Sequence, residues 1–251
     1  MFMYLKPLAK IIFLIGMFFM SQAYAEQSQS IVSIVDPDVL SIAIKETNEA
    51  MVDLINQKMI LLGPSPEIPN NTDYTKMRRT VYKKLLEAQK LLPNDLRFCL
   101  YEGYRSLSLQ EKLFNDRYNI VKDRHPDWNH QQIFQETIRL VSPVINFDGS
   151  RNIPPHSTGA AIDVYLVDQA GNIVDMGIKA ADWMKDIDGS ISQTNSSKIS
   201  EQAKKHRAIM SHALQAVGFV NYPAEYWHWS YGDKYWAYHV GSKVALYGTV
   251  K

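Results

Sequence analysis

The sequence has a single cysteine, Cys99, among 251 residues, so an internal disulfide is excluded. It lies in Leu96-Arg97-Phe98-Cys99-Leu100, which reads as a strand. No neighbour would lower its pKa, so it reads as a small buried apolar residue and not as a nucleophile. Charge of one sign is also missing. The formal net charge is +1 and no Lys/Arg block is present, which leaves no electrostatic footprint for nucleic acid. Past the N-terminus, no apolar run approaches the ~20 residues that span a bilayer. Internal repeats and an interdomain linker are absent as well.

What is present suits a folded domain: 46% hydrophobic and 11% aromatic residues. The N-terminus reads as a targeting segment. Lys6 and Lys10 precede the apolar run Ile11 to Met20, and Ala23-Tyr24-Ala25 gives a small-residue cleavage site. Residues 1–25 are therefore expected to be a signal peptide cut after Ala25, with no stable membrane span afterwards. Export without disulfides fits a bacterial periplasm.

Residues 26–35 are polar, Ser/Gln-rich and expected to be mobile. Pro37 to Met59 carries an imperfect helical pattern, and 63–71 is a turn-rich loop. Met77, Val81, Leu85 and Ala88 predict a helix over 75–92. A strand over 96–101 follows. Ser108 with Glu111 predicts a capped helix over 109–121, and 127–141 reads as another helix. Residues 162–167 read as a strand, with 172–174 as a returning partner. A surface loop is expected over 186–198, a helix over 199–217 stopped by Gly218, and a strand over 226–231. These elements predict a single α+β domain, helices against a mainly antiparallel sheet. Residues 26–72 form an N-terminal extension with a helix packing on the core, and 73–251 the main domain.

Two stretches carry chemistry. In His156-Ser157-Thr158-Gly159-Ala160-Ala161-Ile162-Asp163 a loop becomes a strand. Imidazole and carboxylate are both zinc ligands, and the small residues between allow close packing. In Glu225-Tyr226-Trp227-His228-Trp229 a glutamate precedes a histidine by three positions, as a base beside a metal ligand would. On a regular strand those two would face opposite ways, so a bend is required, and Pro223 is consistent with one. His156, Asp163 and His228 make three ligands with one position open, the catalytic form of a zinc site. Arg105, ending a strand, can face an oxyanion or a substrate carboxylate. His125, His130, His206, His212 and His239 form no ligand-like cluster and read as surface or core residues.

The combination His156-x-x-Gly159-x-Ala161-x-Asp163 followed by Glu225-x-Trp227-His228 resembles the D-Ala-D-Ala dipeptidases. These are zinc enzymes related to D,D-carboxypeptidases and to the Hedgehog signalling-domain fold. The resemblance runs from about Asp73 to Gly241. Tyr101 to Ser106 is similar to the family's Y-D-G-Y-R-P, with Glu102 for Asp and Ser106 for Pro. The resemblance implies one Zn2+ per chain on His156, Asp163 and His228, Glu225 as general base and then acid, and Arg105 on the tetrahedral intermediate. It also implies a carboxylate for the substrate's amino group, for which Asp182 is the nearest candidate. Where the family has a serine two residues before the first histidine, this chain has Pro154, followed by Pro155. Fine substrate selectivity is affected there; the ligands are not.

The activity so implied is hydrolysis of the D-Ala-D-Ala dipeptide to two D-alanines, for peptidoglycan turnover or salvage. A zinc D,D-carboxypeptidase trimming stem peptides is the nearest rival. A non-catalytic wall-peptide binding module is a second, although binding alone needs neither Glu225 nor Arg105.

Overall fold

Residues 96–102 and 161–168 are buried along nearly their whole length, so both faces of the central strands are covered. The structure, a computed structural model, describes residues 31–250. The expected signal peptide lies outside the described residues. In chain order the elements are α1 (Pro37–Leu40), β1 (Ala43–Ile44), β2 (Met51–Asp53), β3 (Leu61–Leu62), β4 (Lys76–Arg78), α2 (Arg79–Gln89), β5 (Leu96–Glu102), α3 (Leu107–Arg124) and α4 (His130–Thr137). Then follow β6 (Ala161–Asp168), α5 (Glu201–Ala216), β7 (Val220–Asn221), β8 (His228–Ser230), α6 (Lys234–His239) and β9 (Val244–Ala245).

The five-stranded sheet has the order β3-β5-β6-β8-β7, antiparallel except where β3 joins β5. This is the α+β arrangement expected. Phe98 and Leu100 on β5 and Ile162, Val164 and Leu166 on β6 are fully buried. Val81, Leu85 and Ala88 of α2 and Met210, Ala213 and Leu214 of α5 belong to the same core. Burying one such Leu or Ile side chain stabilises the fold by about 1.5–3 kcal/mol.

Several expectations need correction. Of the helical pattern expected over 37–59, only α1 is helical, capped by Asp36. Asn48 takes a left-handed φ of 54°, and the flanking pieces are extended. They pair with distant strands: β1 with β9, β2 with β4, β3 with β5. Such pairings leave no local periodicity to read. Met77 is buried, but on β4, so the helix begins only at Arg79. Ser106, not Ser108, caps α3, its Oγ accepting from the Leu109 N–H at 3.3 Å. Asn129 and Gln132 form a capping box that starts α4 at His130.

The loop at 186–198 is not a plain surface loop, since Asp186, Ser192 and Ser196 are buried. Arg207 of α5 ties it down. Its guanidinium donates to the carbonyls of Met176, Ile191 and Gln193 and stacks over Tyr226, 4.1 Å from the ring centroid. Burial pushes Arg207 down to about 10. Among the described residues no helix is long and apolar enough to cross a membrane.

Candidate active site

Asp163 lies on the face of β6 opposite Ile162 and Val164. Strand register sets it across from Glu102 on β5 and from His228 on β8. Three polar residues thus form a row across three neighbouring strands. Two carboxylates so placed repel each other unless cations intervene. One such cation is Arg105. Its Nε donates to Glu102 Oε1 at 2.8 Å, Nη2 pairs with Glu102 Oε2, and Nη1 donates to Gln110 Oε1 at 2.9 Å.

His156 reaches the row from a 3-10 turn, Pro155–Thr158, that ends at Gly159 with a φ of +69°. Gly103 holds the histidine from the other side, its carbonyl accepting from His156 Nδ1 at 2.8 Å. A carbonyl can only accept, so Nδ1 carries the proton and Nε2 offers a lone pair inward. A Cβ on Gly103 would stand 2.4 Å from the Lys76 carbonyl oxygen and 2.8 Å from that of Tyr74. Only glycine fits this position.

The expected bend before His228 is present. Residues 222–227 turn, and the His228 N–H donates to the Glu225 carbonyl at 3.2 Å. Glu225 and His228 therefore come to one side. His228 Nδ1 faces the centre, and its Nε2 lies 3.5 Å from the Ser230 hydroxyl.

His156 Nε2, Asp163 Oδ1 and His228 Nδ1 are 3.1, 3.1 and 3.3 Å apart. A tetrahedral ion with bonds of about 2.0–2.1 Å has donor–donor edges of about 3.3 Å. Asp163 Oδ1 is buried yet receives no hydrogen bond. An orphaned carboxylate oxygen of this kind is costly without a cation. The three side chains together could hold a metal ion.

Burial opposes ionisation of Asp163, but the two imidazoles outweigh it and hold the carboxyl well below its usual range. His156 is correspondingly raised by Asp163, against burial, while burial lowers His228. Glu225 stands apart. Its Oε2 is 3.9 Å from His228 Nδ1 and accepts from Trp227 Nε1 at 3.2 Å. Burial first, then the charge of Asp163, raise it well above an ordinary glutamate. A carboxyl raised in this way holds a proton more firmly once it has taken one, as a group that must later hand it on requires.

All five residues, with Tyr101, Trp183 and Trp227, line a cavity of about 50 Å³. None of the other five histidines lines it. Nor does Asp182. That side chain pairs with Lys185 Nζ at 2.6 Å and is 34% exposed. It lies on a tight turn, Ala180–Lys185, where its neighbour Trp183 is the residue that reaches the cavity. Sequence reasoning missed Glu102 and Gln110 as the groups that fix Arg105. The available signal was a carboxylate three positions before the arginine.

Three converging donors, an adjacent carboxylate and a guanidinium in one small cavity match the open kind of metal site found in hydrolytic enzymes. The chain belongs to the Peptidase M15 family, described as D-ala-D-ala dipeptidase, whose profile matches residues 72–243. It is thus a metallopeptidase. A curated relative, the D-alanyl-D-alanine dipeptidase of Synechocystis sp. (strain ATCC 27184 / PCC 6803 / Kazusa), is 26% identical over 240 residues, 84% of this chain and 96% of that protein. Among solved structures, VanYB in complex with D-alanine-D-alanine aligns at 14% identity and a TM-score of 0.42, over 82% of this chain and 93% of that one. A point mutant of the vancomycin resistance D,D-pentapeptidase VanY, in complex with Zn(II), aligns at 13% identity and a TM-score of 0.39, over 82% of this chain and 95% of that one. Likeness this remote adds nothing to the assignment.

Proposed function

We propose that the protein is a zinc dipeptidase that hydrolyses D-Ala-D-Ala to two D-alanines, with one Zn2+ held by His156, Asp163 and His228. The observation that carries this is the 3.1–3.3 Å triangle of donors with Glu225 beside it and Arg105 in the same cavity. When bound, zinc supplies Lewis acidity, bringing the pKa of water to about 7 and polarising a carbonyl. Glu225 takes the proton of the attacking water and passes it to the leaving amine. Arg105, fixed by Glu102 and Gln110, faces the oxygen on which negative charge develops. Tyr101, Trp183 and Trp227 exclude bulk water around these groups, which strengthens each charge interaction.

Lys6, Lys10, the apolar run 11–20 and Ala23-Tyr24-Ala25 support export to a periplasm, where the activity would serve peptidoglycan turnover or salvage. The test is D-alanine release from D-Ala-D-Ala by purified protein of measured zinc content. Turnover should track zinc, vanish with a chelator and return on adding zinc. Zinc-loaded protein that leaves the dipeptide intact would overturn the reading.

A further inference from the structure

Residues 31–35 follow the expected cleavage site and belong to the stretch expected to be mobile. Instead they pack on the protein. Val32 and Ile34 lie against the cluster of Val39, Tyr222 and Tyr235. The Tyr235 hydroxyl donates to the Val32 carbonyl at 3.4 Å, and the Asp36 N–H donates to the Ser33 carbonyl at 3.0 Å. The turn at Asp36 and the start of α1 follow directly.

This strap runs between two cavities. Ile34 lines the 50 Å³ cavity that holds His156, Asp163, Glu225 and His228. Ile31 and Ser33 line a second cavity of about 270 Å³, bounded by Arg117, Gln135, Arg139 and Gln193. Leu140 lines both. Between the reacting groups and this larger cavity there stand the strap and Leu140.

We infer that Ile34 is a specificity-determining residue: the strap partitions what would otherwise be a continuous groove, and so restricts cleavage to free dipeptides. This rests on the dipeptidase reading above. Ile34 and Leu140 wall the space beside the reacting groups on the side that faces the second cavity. The second cavity has the room and the hydrogen-bonding side chains for a further residue or an acyl group, but Ile34 bars the way to it. Replacing an isoleucine by alanine removes three carbon atoms from the partition without touching a metal ligand, Glu225 or Arg105.

The experiment compares kcat/KM for D-Ala-D-Ala, N-acetyl-D-Ala-D-Ala and tri-D-alanine in the wild-type protein and in Ile34→Ala and Ile34→Trp, with zinc content measured for each. Ile34→Ala should raise the ratio of extended to free substrate at least tenfold, for one or both extended substrates. Ile34→Trp should instead raise KM for the free dipeptide. A ratio unchanged in Ile34→Ala, with zinc retained, would overturn the partition. An Ile34→Trp variant with wild-type KM would do the same. A wild-type protein that cleaves none of the three would instead fail the dipeptidase reading, so the two failures are distinct.

Discussion

Asp163 and His228 stand directly opposite each other on β6 and β8, with Asp163 Oδ1 3.1 Å from His228 Nδ1. Two of the three donors therefore sit on hydrogen-bonded strands of the central sheet, and strand register sets their spacing. A site built on strands is held more tightly than one built on loops.

The first prediction concerns Glu225. Glu225→Gln keeps the size and the Trp227 contact but removes the base. It should retain one zinc per chain and lower kcat by about 10²–10⁴ with little change in KM. Zinc analysis beside steady-state kinetics checks this. Near wild-type turnover would remove Glu225 from the mechanism.

Arg105 gives a second. Its fork is fixed by Glu102 and Gln110. Arg105→Ala should cost about 10²–10³ in kcat, the usual cost of losing an oxyanion donor. Arg105→Lys should recover little, because lysine cannot hold Glu102 with two parallel bonds. Full recovery by lysine would show that only a positive charge is needed.

Metal affinity should depend on pH in a defined direction. Asp163 holds His156 protonated to a higher pH than an ordinary histidine, and a cation must displace that proton. Apparent zinc affinity should fall as pH falls, and the fall should begin above about 6.5, the ordinary histidine value. Competition with a chromophoric chelator between pH 8 and pH 5 measures it. A flat profile would remove His156 from the ligand set.

Asp182 offers a contrast. It pairs with Lys185 outside the cavity, so Asp182→Asn should change kcat/KM for the dipeptide by no more than about twofold, as for a surface substitution. A large rise in KM would restore it as the anchor for the substrate's amino group.

Much of this site was legible in the sequence because each part carried a local signal. The small residues between His156 and Asp163, and the three-residue offset of Glu225 from His228, marked both stretches. Arg105 stood at the end of a readable strand. Other features had no local signal. The pairing of β1 with β9 joins residues at the two ends of the described chain. The Glu102 partnership depends on register across β5 and β6. Asp182 pairs with Lys185 while Trp183 lines the cavity, because adjacent residues on a tight turn project differently. The strap was unreadable because its partners, Tyr222 and Tyr235, lie far along the chain.

Arg207 fastens the carbonyls of Met176, Ile191 and Gln193 to α5, and these bracket the turn that carries Trp183. A stretch clamped on both flanks by one guanidinium is a poor hinge. The turn that carries Trp183 is then a fixed wall of the cavity, so the width of the space beside Glu225 is set by the fold and not by a closing motion of that turn.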